Sequence, residues 1–200
     1  MDQALFERVC ARIDGFRDEV IELQRELVAR PALHPDSGGV GEAAKAAFLR
    51  TYIAEHGLGT IDELPAPDPR AEGGTRPNLV VRHTGADGSK TVWFMAHMDV
   101  VPAEGQAGWE ADPFTLRVEG DRLIGRGVED NHQGMVASIM ALRALIADLL
   151  TEAGATRGQV SHVGATGRGA DLAVDADFIE DEVTNLLFPA WIAGILISGA

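Results

Sequence analysis

The sequence predicts an α/β domain in which helices layer against a central sheet. Three observations predict it. Apolar residues recur at spacings of three and four in segments near residues 5–27, 42–56 and 131–150, as they do on one face of a helix. Between these segments lie short β-branched runs, and one of them, TVWFMA, is almost continuously apolar, as in a strand covered on both faces. The order helix, helix, strand, strand, hairpin, helix is that of layered α/β domains. Composition agrees: 46% hydrophobic and 24% charged residues exclude a wholly disordered or collagen-like chain.

The first helix is read from Leu5, Val9, Ile13, Phe16, Val20, Leu23 and Leu27, and Pro31 and Pro35 end it because proline cannot donate the next helical bond. A second, Ala-rich helix runs from about Glu42 to His56, with Gly57 and Gly59 closing it. Residues 65–77 hold four prolines and two glycines and read as a loop. Two strands follow, NLVVRH (78–83) and TVWFMAH (91–97), with an Asp87-Gly88 turn signal between them. Thr115–Val118 and Arg122–Ile124 flank Glu119-Gly120-Asp121 as a small hairpin. A long helix over about Asn131–Leu150 presents Val136, Ile139, Met140, Leu142, Leu145, Ile146 and Leu149 on a wide apolar face. Apolar periodicity weakens after residue 150, which places a boundary there: 1–150 as the main unit and 151–200 as a divergent tail.

Charge narrows the partners. The net charge of −14 repels phosphate backbones and anionic membrane surfaces, so neither nucleic acid nor membrane is expected. The single cysteine, Cys10, excludes an intramolecular disulfide and a Cys-rich zinc site. The first residues carry Asp2, Glu7 and Asp14 and lack the basic start and apolar core of a signal peptide, so a cytoplasmic location is expected. The apolar stretch Leu186–Ala200 is shorter than a membrane span and contains Pro189, so it reads as buried core.

The chemistry lies between His97 and Gly134. His97 and Asp99 sit at the carboxyl end of an apolar strand, where ligands bind in open α/β sheets. Side chains two apart on a strand face the same way, so an imidazole and a carboxylate converge. Asp130 lies in the glycine-rich turn GRGVED directly before a helix. Taken singly, each has a plainer reading: His97 as a core or surface histidine, Asp130 as a helix N-cap. His132 reads as a solvated first-turn residue and Glu129 as a charge favoured by the helix dipole. Trp109 and Phe114 read as packing anchors and Arg126 as a structural ion pair.

In combination, FMAHMDVVP, then GWEADPF, then GRGVEDN before a long helix resemble the co-catalytic zinc aminoacylase and carboxypeptidase family. That family includes acetylornithine deacetylase, succinyl-diaminopimelate desuccinylase, glutamate carboxypeptidase and dipeptidases. The resemblance covers about residues 5–148. It implies a three-layer, zinc-exopeptidase-like fold with a mostly parallel sheet, truncated here relative to the family. It implies that His97 and Asp130 are metal ligands, with Asp130 bridging two zinc ions, and that Asp99 is the catalytic-site residue that orients His97. The implied cofactor is zinc, two ions per site, with cobalt or manganese as substitutes. The implied reaction is hydrolysis of the amide bond of a small peptide or N-acyl amino acid, in a family that forms homodimers.

The chain departs from the family after the long helix. The resemblance calls for an acidic pair, general base and zinc ligand, near 164–166, where this chain reads Gly164, Ala165 and Thr166. His162 and the cluster Glu180, Asp181 and Glu182 read as ordinary loop and solvated charge. Two readings therefore stand: a metallohydrolase that is catalytically incomplete as this chain, or a non-catalytic remnant or protein-interaction domain.

Overall fold

The computed structural model describes residues 3–83, 91–152, 165–166, 179–180 and 195–198. Four helices, α1 (Gln3–Asp14), α2 (Arg17–Val28), α3 (Ala43–Glu55) and α4 (Gln133–Glu152), pack with a four-stranded sheet. In chain order the described strands are β1 (Thr60–Glu63), β2 (Ala66–Pro67), β3 (Thr75–Arg76), β4 (Leu79–Arg82), β5 (Met95–His97), β6 (Arg117–Glu119), β7 (Arg122–Ile124), β8 (Ala165–Thr166), β9 (Ile179–Glu180) and β10 (Ile195–Ser198).

The first predicted helix is two helices. Gly15 breaks it: its N–H and that of Phe16 bond three residues back, to Arg12 and Ile13, and α2 restarts with Asp18 and Glu19 favourably placed in its first turn. The apolar row nevertheless faces inward throughout. Val9, Leu23 and Leu27 are buried, and Leu5, Ile13, Phe16 and Val20 pack against the core. α4 contacts α1 and α2 as well as β5 and β10, and buries Val136, Ile139, Met140, Leu142 and Leu145. From α3 come Leu49 and Ile53, both with no exposed surface. Burial of such a side chain is worth about 1.5–3 kcal/mol.

The main sheet runs β1-β4-β10-β5. β4 is antiparallel to β1 and to β10, while β10 is parallel to β5. The sheet is thus mixed rather than mostly parallel. β1 and β4 are joined by a looping excursion over 64–78 rather than a helical crossover, and such a connection returns the chain antiparallel. The strands on either side of Asp87-Gly88 are not neighbours, because β10 lies between them; residues 84–90 lie outside the described residues. The excursion holds a small ribbon in which Ala66 pairs with Arg76 and Pro67 with Thr75. The 115–124 hairpin forms as β6 and β7, shifted toward the turn.

β10 comes from the apolar stretch near the end of the sequence, across the boundary drawn near 150, and its Ser198 pairs in register with His97. β8 and β9 form a separate parallel pair. His162, Asp181 and Glu182 lie outside the described residues. After β5 the chain is tied to the segment following α2: Val100 donates its N–H to Ala32 O at 3.0 Å and bridges Leu33. This fixes the path of His97-Met98-Asp99. No described helix is long and apolar enough to cross a membrane.

Candidate metal centre

His97 ends β5, so its ring leaves the sheet at the carboxyl edge of the strand. Met98, between His97 and Asp99, is fully buried and anchors the segment, while His97 and Asp99 stay about one-quarter exposed. Nδ1 of His97 lies 3.0 Å from the Asp99 main-chain oxygen and 3.2 Å from Asp99 Oδ1. Nε2 lies 2.9 Å from Asp130 Oδ1. The ring therefore stands between two carboxylates, one at each nitrogen.

Asp130 is delivered by the wide turn Val128–His132. Gly127 opens the turn with φ of +84°, in the left-handed region that glycine enters without strain. His132 closes it by donating its N–H to Gly127 O at 2.9 Å. A Cβ on Gly127 would come within 2.7 Å of both Val100 Cγ1 and His132 Cε1, so the glycine is needed for both backbone angle and space. The Asp130 side chain is 82% exposed and faces His97 rather than capping α4.

The electrostatics follow from these contacts. Hydrogen bonding to Asp99, against the opposing effect of burial, together with the Asp99 charge and the Asp130 contact, lifts the His97 pKa to about 9. Burial pushes the Asp99 carboxyl up, but the hydrogen bond and charge of His97 outweigh it, with a smaller contribution from Arg76, and its pKa falls below the ordinary value. Beneath the site lie charges that the sequence did not single out. Lys45 is 1% exposed; its Nζ donates to Met98 O at 2.8 Å and stands 2.8 Å from His132 Nε2. Burial lowers the Lys45 pKa to about 7, although Asp99 and Glu42 pull it upward. Glu42, wholly buried, pairs with Arg76 through both carboxylate oxygens.

His132 is itself fully buried rather than solvated. Burial, reinforced by the Lys45 and His97 charges, lowers its pKa to about 3, so the ring is neutral. Arg126 forms no ion pair among the described residues; its Nη2 reaches Pro102 O at 3.4 Å and Gln106 Oε1, and its guanidinium lies 5.1 Å from the centre of the Trp109 ring. Trp109 and Phe114 are half-buried. The sequence did carry one signal for Lys45. Lys45, Leu49 and Ile53 are spaced by four, so the lysine heads the buried row of α3.

The donor set suits a borderline cation. With Nδ1 held by Asp99, Nε2 donates its proton to an exposed carboxylate; loss of that proton would leave a carboxylate-backed imidazole of the kind that binds zinc. Among the described residues no three His, Cys, Asp or Glu side chains converge as a metal-binding group.

Solved structures similar to this fold include two dipeptidases. The chain matches the dipeptidase Dug1p of Saccharomyces cerevisiae at a TM-score of 0.59 and 26% identity, over 74% of this chain and 32% of that one. It matches human carnosine dipeptidase 1 at 0.53 and 26%, over 72% and 31%. The fold is thus of the α/β exopeptidase kind.

The family model of Peptidase family M20/M25/M40 matches residues 93–158, the segment that carries His97, Asp99 and Asp130, and the amino-terminal portion of the chain resembles that family. An uncharacterized metallohydrolase of Methanococcus maripaludis is 34% identical over 64% of this chain and 32% of its own length. Succinyl-diaminopimelate desuccinylase of Methylocella silvestris is 35% identical over 70% and 33%, and human Beta-Ala-His dipeptidase 32% identical over 73% and 31%. The chain spans about a third of the length of these curated relatives.

Proposed function

We propose that this chain carries the amino-terminal, metal-anchoring part of a zinc-dependent hydrolase that cleaves C–N amide bonds in small peptides or N-acyl amino acids. The observation that carries this reading is the His97 ring, fixed at Nδ1 by Asp99 and turned at Nε2 toward the exposed carboxylate of Asp130. His97 and Asp130 would hold zinc, with Asp130 free to bridge a second ion and cobalt or manganese as substitutes. Bound zinc supplies a Lewis acid and a water acidified to a pKa near 7. Asp99 fixes the ring orientation and keeps the proton on Nδ1, and the Val128–His132 turn presents the second carboxylate.

On this reading residues 1–150 belong to a three-layer catalytic unit, while 151–200 contributes β10. A cytoplasmic location and a homodimer go with it. We read the site as catalytically incomplete: among the described residues two donors, His97 and Asp130, stand together where a catalytic zinc takes three protein ligands. The second reading is a non-catalytic remnant or interaction domain.

Zinc titration in competition with a chromophoric chelator separates the two. Zinc is expected to bind the wild-type chain, to be lost in His97→Ala and Asp130→Ala, and to weaken about 10–100-fold in Asp99→Asn. Equal zinc binding by all four proteins overturns the proposal.

A further inference from the structure

We propose that Lys45 is a positioning residue of this site: its sealed ammonium ties the main chain between His97 and Asp99 to the ring of His132, and so fixes the strand end that carries His97 relative to the turn that carries Asp130. The inference rests on the reading that His97 and Asp130 share a cation.

Three segments distant in sequence meet at one nitrogen. Lys45 projects from α3, Met98 O belongs to the segment leaving β5, and His132 closes the turn before α4. The two contacts are both 2.8 Å, and all three residues are 1% exposed or less. The His132 ring accepts at Nε2, which places its proton on Nδ1, and its own N–H is held by Gly127 O. Ring and turn therefore move together. Any displacement of the turn away from β5 must break a hydrogen bond to Lys45 in a place that water does not reach.

Burying an amine is expensive, and an apolar residue of similar volume commonly serves stability as well or better. Lys45 stands at the head of a row continued by Leu49 and Ile53, where methionine or leucine would complete the apolar stripe. What an apolar residue lacks is the pair of directed bonds. Both bonds end on the two segments that supply the metal donors, one at the residue between His97 and Asp99 and the other two positions beyond Asp130. The contact thus acts on the spacing of the donors. Asp130 itself is exposed and has no packing to hold it, so the turn beneath it must be fixed from the buried side.

Lys45→Met keeps the stem and removes the ammonium. His132→Leu removes the acceptor, and His132→Gln returns one as an amide oxygen. Each protein is measured by urea unfolding, by zinc competition, and, without metal, by the ring ¹⁵N signals of His97. Expected is a folded Lys45→Met that binds zinc at least about 10-fold more weakly than wild type, the scale seen when support behind a ligand is lost. Its His97 signals should shift toward those of an imidazole without a carboxylate at Nε2. His132→Leu should behave likewise, and His132→Gln should recover most of the affinity.

A folded Lys45→Met with wild-type zinc affinity and unchanged His97 signals overturns the proposal. So does a His132→Gln no better than His132→Leu, the contrast that decides if Lys45→Met fails to fold. If the wild-type chain binds no zinc, the metal reading fails separately, and the His97 signals alone decide whether Lys45 sets the donor geometry.

Discussion

Replacing Arg76 by methionine should cost this protein a large part of its stability, and the reason is Glu42. The Glu42 side chain is 0% exposed and that of Arg76 8%, and the guanidinium Nε lies 3.1 Å from each carboxylate oxygen while Nη2 donates to Oε1. Removing one partner of such a pair leaves an uncompensated buried charge and costs about 3–5 kcal/mol. With a urea dependence of about 2 kcal/mol per molar, that is a fall of about 2 M in the unfolding midpoint. Glu42→Gln strands the guanidinium less severely, since an amide oxygen still accepts from Arg76.

The double variant Glu42→Gln/Arg76→Met removes both charges and should recover to within about 2 kcal/mol of wild type, because well-packed neutral groups often replace a buried ion pair at little cost. The assay is urea denaturation of the four proteins at pH 7, followed by fluorescence and circular dichroism. Arg76→Met within about 1 kcal/mol of wild type would refute the reasoning, and so would two single losses that simply add, since residues in direct contact are coupled.

Two further outcomes follow from the backbone and from charge burial. Gly127→Ala should lose about 2 kcal/mol or more, from a left-handed φ of +84° and a Cβ placed 2.7 Å from Val100 Cγ1 and His132 Cε1; a wild-type urea midpoint would contradict this. The stability of the wild type relative to Lys45→Met should rise as pH increases from about 7 toward 10. The folded pKa of Lys45 is lowered to about 7 from an ordinary 10.5, so the unfolded chain binds more protons across that window, and raising the pH removes their advantage. A difference between the two proteins that is flat with pH would contradict the burial of a titrating amine.

The helical parts were legible because their signal is local. Leu23, Leu27, Leu49, Ile53 and the α4 row need only a period near 3.6 to declare a face, and burial follows. The break at Gly15 was not legible from that face, which passes unbroken through it. β1 escaped notice because Thr60–Glu63 is mostly exposed, with a single apolar residue, Ile61, to mark it. TVWFMAH promised a longer strand than β5. Strand length is set by the partner, and β10 pairs only with Met95–His97. The direction and order of strands depend on connections too long to read from composition, so the sequence points to a mostly parallel sheet where the structure has a mixed one.

The candidate site divides in the same way. His97, Asp99 and Asp130 stood out because their surroundings in sequence are distinctive, and the structure brings the three side chains together. Lys45, His132, Glu42 and Arg76 did not, because burial of a charge is a property of contacts between distant segments: Lys45 and His132 meet across 87 positions. The consequence is a gradient of constraint. Glu42, Lys45, Arg76 and His132 are enclosed, His97 and Asp99 are half-open, and Asp130 alone is largely in water. In the enclosed layer Glu42 and Arg76 pair with each other and Lys45 is held by Met98 O and the His132 ring, and a rearrangement there would expose unpaired groups to a low-dielectric interior. At the open end, the Nε2 proton of His97 and the Asp130 carboxylate can exchange partners with little desolvation. On the proposed reading, a cation arriving from solvent meets donors that are free to respond, held on a base that is not.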